Sequence, residues 1–148
     1  MESLGIMSFW LDKRVLITGH TGFKGSWLTL ALLESGAKVS GFALEAERLS
    51  LFNQLSTTGK IDSCIGDIRD RKTLTENITE VQPDVIFHLA AQPLVLKSYE
   101  KPFETFDVNL MGTASLLEAA NYAGFSGTLV MVTSDKVYEN DNMGRKFD

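Results

Sequence analysis

The chain has 148 residues, 44% of them hydrophobic and 22% charged, with a formal net charge of −5. That is one domain's worth of core, too little for a cofactor domain plus a separate substrate domain, so residues 1–148 are read as a single domain. The acidic balance argues against nucleic acid or an anionic membrane as partner, and the lone Cys64 excludes an intrachain disulfide and suggests a reducing, cytoplasmic setting.

The opening "MESLGIMSFWLDKR" is too short and broken to span a membrane, and its Glu2 is unlike a basic secretion signal. It reads as a lead-in whose Phe9 and Trp10 pack on the domain. From there the pattern alternates. "KRVLIT" (13–18) is a β-branched strand, followed by a helix over "KGSWLTLALLESG" (24–36) that Gly36 stops. "AKVSGFAL" (37–44) is a second strand, and a polar, charged stretch runs from there to Gly59. "KIDSCIG" (60–66) is a weaker third strand, interrupted by Asp62 and Ser63, and "RKTLTENITEVQ" (71–82) is a helix ending before Pro83. "DVIFHLAA" (84–91) reads as a buried fourth strand, then come a loop and a long helix from roughly Phe103 to Ala123. "GTLVMVTS" (127–134) is a fifth strand. Strands alternating with helices predict an α/β fold, a doubly wound parallel sheet of the Rossmann type with strand order 3-2-1-4-5. Ligands then sit at the carboxyl ends of strands one and four.

The stretch "TGHTGFKGSW" carries the strongest chemical signal. Gly19, Gly22 and Gly25 lie between a strand and a helix, where a tight turn turns backbone N–H groups and the helix N-terminus toward a pyrophosphate. Thr21, Phe23 and Lys24 complete that loop. The spacing Gly-x-x-Gly-x-x-Gly is typical of the short-chain dehydrogenase/reductase superfamily. An acid for the cofactor ribose is expected near the end of the second strand. Glu45 and Glu47 fall there, but so does Arg48, which suits a 2′-phosphate, and all three also fit a solvated face. NAD and NADP therefore stay open at this point, with NAD expected from the resemblance below. In "GDIRD", Asp67 and Ile68 stand where that superfamily places an acid on the adenine amine and an apolar neighbour on the ring. Asp67 could instead cap the following helix.

"HLAAQPLV" (88–95) and "VNLMGTASLLEAA" (108–120) resemble the extended members that act on nucleotide sugars, and within that group "GHTGFKGSWL", "AAQPLV" with the following "SY", and "TSDKVY" (133–138) together resemble the CDP-glucose 4,6-dehydratases, over nearly the whole stretch from Phe9 to Tyr138. Leu96 stands where an arginine is common, and "EAERLSLF" lacks the family's proline-rich character. The alternatives are a stand-alone dinucleotide-binding or regulatory module, or part of a related epimerase or dehydratase. The resemblance implies that Leu89, Ala90, Ala91, Gln92 and Thr133 join the glycine loop, Asp67 and Ile68 around NAD, and that Asn109 braces the site. It implies Ser134 on the C4 oxygen of the hexose, Asp135 as the acid for the departing C6 hydroxyl, and Lys136 as the base for the C5 proton. His88 is read as a core or strand-end histidine rather than a base, and no metal site is expected. The superfamily's Tyr-x-x-x-Lys pair does not occur, since neither Tyr122 nor Tyr138 has a lysine at the fourth following position. The chain is thus expected to be the cofactor-binding part of such an enzyme, inactive alone. It is also expected to form a homo-oligomer through the helix bearing Leu110, Met111, Leu116 and Leu117 or through the fifth-strand edge, with a nucleotide sugar as substrate of the whole enzyme and a place in lipopolysaccharide O-antigen biosynthesis.

Overall fold

The computed structural model describes residues 9–55 and 59–134. Five parallel strands, β1 (Arg14–Thr18), β2 (Lys38–Ala43), β3 (Asp62–Ile65), β4 (Val85–His88) and β5 (Thr128–Met131), form one sheet in the order β3-β2-β1-β4-β5. The order is the one the alternating pattern predicts. Val15, Leu16, Ile17 and Thr18 of the central strand are fully buried, because helices cover both faces of the sheet and leave no side of β1 in water.

Alternation along the strands sorts their side chains into two cores. Leu16, Phe42 and Ile86 point to one face, where they meet Leu74 and Ile78 of α3 (Arg71–Val81) and Leu116, Ala119 and Ala120 of α6 (Gly112–Tyr122). Val15, Ile17, Val39 and Val85 point to the other, against Leu32 of α1 (Phe23–Glu34), with Trp10 packed at its margin. Trp10 lies 6.0 Å from the Phe87 ring, while Phe9 stays mostly exposed and meets Trp10 edge-on and the Lys13 ammonium over its ring. Of the two lead-in aromatics, one is therefore core and the other is not.

Local signals set the helix ends. The Asp70 carboxylate accepts from the Thr73 backbone N–H and so caps α3, which removes the capping role from Asp67. Gln82, at φ 45°, ends α3 just before Pro83. The polar stretch after β2 contains a short helix, α2 (Leu51–Gln54), started by Ser50 and anchored by the buried Phe52.

The largest departure from the predicted elements follows β4. The strand stops at His88, and part of the predicted loop is helical, α4 (Val95–Glu100). The single long helix is instead α5 (Pro102–Phe106), a π-helical turn over Asp107–Met111, and then α6. Pro102 occupies the first position of α5, where its missing N–H costs nothing. Side-chain contacts from the π turn to the adjoining loops accompany the irregularity. The turn sits beside the site.

Candidate functional site

The glycine loop leaves the carboxyl end of β1. Gly19 adopts φ +79° and donates its N–H to the Phe42 carbonyl at 2.8 Å, which bends the chain out of the sheet. A Cβ on Gly19 would lie 2.7 Å from the Ala90 backbone nitrogen, so this turn and the end of β4 approach each other through bare backbone. Thr21 Oγ1 donates to the Leu44 carbonyl at 3.0 Å and ties the loop to the end of β2. Gly22 then starts α1, with no side chain capping it and no acidic residue in its first turn. The N–H groups of that first turn therefore face outward beside the positive end of the helix dipole, an arrangement suited to an anion.

They open into a cleft of about 650 Å³ at the carboxyl ends of the strands. Gly19, Thr21, Gly22, Phe23, Lys24 and Gly25 line one side, Leu89, Ala90, Ala91 and Gln92 the floor beyond β4, and Asp67 and Ile68 one end, with Thr133 at the edge of β5. The glycine-loop residues, Asp67 and Ile68, the residues after β4 and Thr133, which the sequence placed around a cofactor, thus border one cavity. Glu45, Glu47 and Arg48 do not: they are exposed and outside the cleft wall, where Leu44 stands instead. Ser134 is exposed just past β5, and Asp135, Lys136 and Tyr138 lie outside the described residues.

Three polar arrangements brace the cleft. His88 is buried, with Nδ1 2.7 Å from Thr18 Oγ1 and Nε2 3.0 Å from Thr113 Oγ1, and burial holds its pKa below the usual histidine value. It joins β1, β4 and α6 as a neutral cross-link. Asn109, in the π turn, clamps the backbone of Gln92 from both sides: its Oδ1 accepts from Gln92 N at 2.7 Å, and its Nδ2 donates to Gln92 O at 3.1 Å. At the other end, Arg69 embraces Asp67 and reaches Asp107, with Nη1 to Oδ2 at 2.7 Å. These contacts hold the Asp67 carboxyl below its ordinary pKa and keep it ionised.

The sequence did not reveal Arg69, Lys97, Glu104 or Val108 as wall residues. It also missed His20, which is fully buried inside the glycine loop. The His20 ring packs edge-on against Phe52 at 5.1 Å, and a Cβ on Gly41 would run into it. Burial pushes its pKa down to about 4, although the nearby Phe42 backbone pulls the other way, and Nδ1 has no hydrogen-bond partner within the distance and angle of a normal bond among the described residues. The glycine at position 41, in the middle of a strand, was the one sign in the sequence that something bulky lay over it.

Known proteins share this arrangement. The sequence profile described as GDP-mannose 4,6 dehydratase matches residues 16–143. CDP-glucose 4,6-dehydratase of Salmonella typhimurium is 52% identical over 134 residues, which are 90% of this chain and 37% of that protein. CDP-paratose 2-epimerase of Salmonella typhi is 34% identical over 127 residues, 84% of this chain and 38% of that protein. The crystal structure of UDP-glucose-4-epimerase from Stenotrophomonas maltophila with bound NAD and formylated UDP-arabinopyranose superposes with a TM-score of 0.78 at 29% identity, covering 90% of this chain and 40% of that one. The chain spans little more than a third of the length of these curated relatives.

Proposed function

This chain belongs to the GDP-mannose 4,6-dehydratase family, and we infer that it is the NAD-binding part of a nucleotide-sugar 4,6-dehydratase acting on CDP-glucose. The observation that carries the reading is the uncapped start of α1 behind the glycine loop, facing a cleft large enough for a dinucleotide.

The residues present fit that group. The first turn of α1 offers N–H groups to the pyrophosphate, with no carboxylate in that turn to repel it. Leu44, Gly66 and Ile68 make an apolar slot for a base at the Asp67 end, and Ala90 and Ala91 leave room for the ribose and nicotinamide at the other. When bound, NAD supplies hydride acceptance at C4 of the hexose and hydride return at C6. The chain's own residues handle protons. Ser134 hydrogen-bonds the C4 oxygen, Asp135 protonates the C6 hydroxyl as it leaves, and Lys136 removes the C5 proton. Thr133, which immediately precedes Ser134 in the chain, lines the same cleft as Ala90 and Ala91, and that supports the role given to Ser134, while the roles of Asp135 and Lys136 rest on the likeness to the dehydratases.

The choice of CDP-glucose rests on the high identity with the Salmonella typhimurium dehydratase, and a place in O-antigen biosynthesis goes with it. A cytoplasmic setting accords with a structure in which, among the described residues, no helix is long and apolar enough to cross a membrane. Self-association is supported by the exposed Phe103, Phe106, Leu110 and Leu117 along α5, the π turn and α6. Leu116, expected in the same contact, is fully buried in the core and is excluded from it.

Titration calorimetry with NAD tests the cofactor reading, and saturable binding is expected. In the intact protein, Asp135→Asn and Lys136→Ala should each stop conversion of CDP-glucose to the 4-keto-6-deoxy sugar while NAD binding persists. Full turnover by both variants would end the assignment.

A further inference from the structure

The base end of the cleft is built around one acceptor. Its walls there are apolar, and the polar groups at the rim are the Asp67 carboxylate and the Arg69 guanidinium, of which only the carboxylate accepts. That carboxylate is held rather than free to rotate. Its Oδ1 accepts from the Arg69 backbone N–H and from Arg69 Nε, each at 2.9 Å, and its Oδ2 accepts from Arg69 Nη2 at 2.6 Å. The guanidinium is itself pinned from the far side by Asp107 in the π turn. A planar fork fixed between two carboxylates sets the plane of the first, and of the roughly four lone-pair sites of an ionised carboxylate Arg69 fills three and leaves one, on Oδ2.

We propose that Arg69 is a positioning residue for base recognition: it aims the remaining lone pair of Asp67, on Oδ2, into the slot, which therefore selects a purine presenting an exocyclic amine over one presenting a carbonyl at the same position. The proposal rests on the dinucleotide reading above. An amine donates to the carboxylate. A carbonyl sets acceptor against acceptor and leaves both unsatisfied. Loss of Arg69 leaves the carboxylate in place but free to turn toward water, so the preference goes while the apolar slot still holds either base.

The probes are NAD and its hypoxanthine analogue, which differ by that amine and carbonyl, titrated calorimetrically into the 148-residue chain. The wild type should prefer NAD about tenfold, the difference expected for one hydrogen bond to a charged acceptor. Arg69→Gln should bring the ratio close to one, and Arg69→Lys, which keeps the charge but lacks the fork, should not restore it. A role confined to stability would lower the melting temperature and leave the ratio untouched. Equal affinity in the wild type, or an unchanged ratio in either Arg69 variant that folds, overturns the proposal alone. Failure of the wild type to bind either dinucleotide overturns the cofactor reading and the proposal together.

Discussion

His20 Nε2 lies 2.8 Å from Ser63 Oγ, which fastens the first turn of the glycine loop to β3 across the full width of β2. A strand two places away in the sheet thus helps to hold the loop that its neighbour β2 anchors through Phe42 and Leu44. His20 stays neutral in the folded protein until the pH approaches about 4, whereas an unfolded chain protonates it near 6.5. Between those values the unfolded state binds the extra proton. Stability from this residue is complete above pH 6.5 and declines as the pH falls toward 4, by about 3 kcal/mol at most. His20→Gln should flatten that part of the pH–stability curve, leaving a shallower slope of the same sign from His88. Urea melts at half-unit pH intervals for both proteins measure it, and parallel curves would count against the assignment.

The same ring couples two strands. Gly41→Ala in the wild type places a methyl group into His20 and should cost about 1–3 kcal/mol. Once His20→Ala has emptied that space, the cost of Gly41→Ala should fall by about 1 kcal/mol or more. A double-mutant cycle in denaturant gives the coupling directly, and strict additivity would mean that the strand, not the ring, excludes the methyl group.

Gly22→Asp separates binding from folding. Position 22 has φ −76° and is the N-cap of α1, a place where aspartate is favoured. The variant should fold with a melting temperature close to that of the wild type, because its Cβ would lie 3.3 Å from the Gly19 carbonyl oxygen and so offset the gain from the cap. Its carboxylate nevertheless takes the N–H groups that the pyrophosphate needs, so NAD affinity should drop by about tenfold or more. Calorimetry and thermal melting on one sample check both halves.

Adjacent leucines on α6 should behave oppositely. Leu116→Glu buries a charge in the core and should abolish cooperative unfolding. Leu117→Glu and Leu110→Glu, at 47% and 61% exposed positions, should leave the melting temperature nearly unchanged and reduce the mass seen by light scattering to that of a monomer. A wild type that is already monomeric would remove the self-association proposal.

The parts legible in the sequence were those whose cause is local. A glycine at φ +79° after a β-branched run leaves a mark within a few positions, whereas the cap of α3 was sought at Asp67 and lies three residues on, at Asp70. The cleft wall from Gly19 to Thr133 could be read because topology carries each strand end to the same edge. Contacts between distant residues left no such mark. Arg69 meets Asp107 from 38 positions away, so its neighbours in sequence suggest only a solvated charge. Leu116 and Leu117 look alike in a list of apolar positions, and the phase of the helix that divides them depends on the irregular turn before it. The helix at Val95–Glu100 was hidden for a further reason: it has no buried residue and so no apolar periodicity to betray it.

That irregular turn has a consequence for how the chain tolerates a change of length. A π turn closes its hydrogen bonds one residue further along than the α-helix on either side, so it behaves as a single-residue insertion absorbed without disturbing the flanks. Removing one residue between Asp107 and Asn109 would let an unbroken α-helix form, with Leu116 still against the sheet. It would also swing one of those two side chains about 100° around the axis, away from Arg69 or from Gln92. Folding can do without the extra residue. Holding both ends of the cleft from one turn of helix cannot.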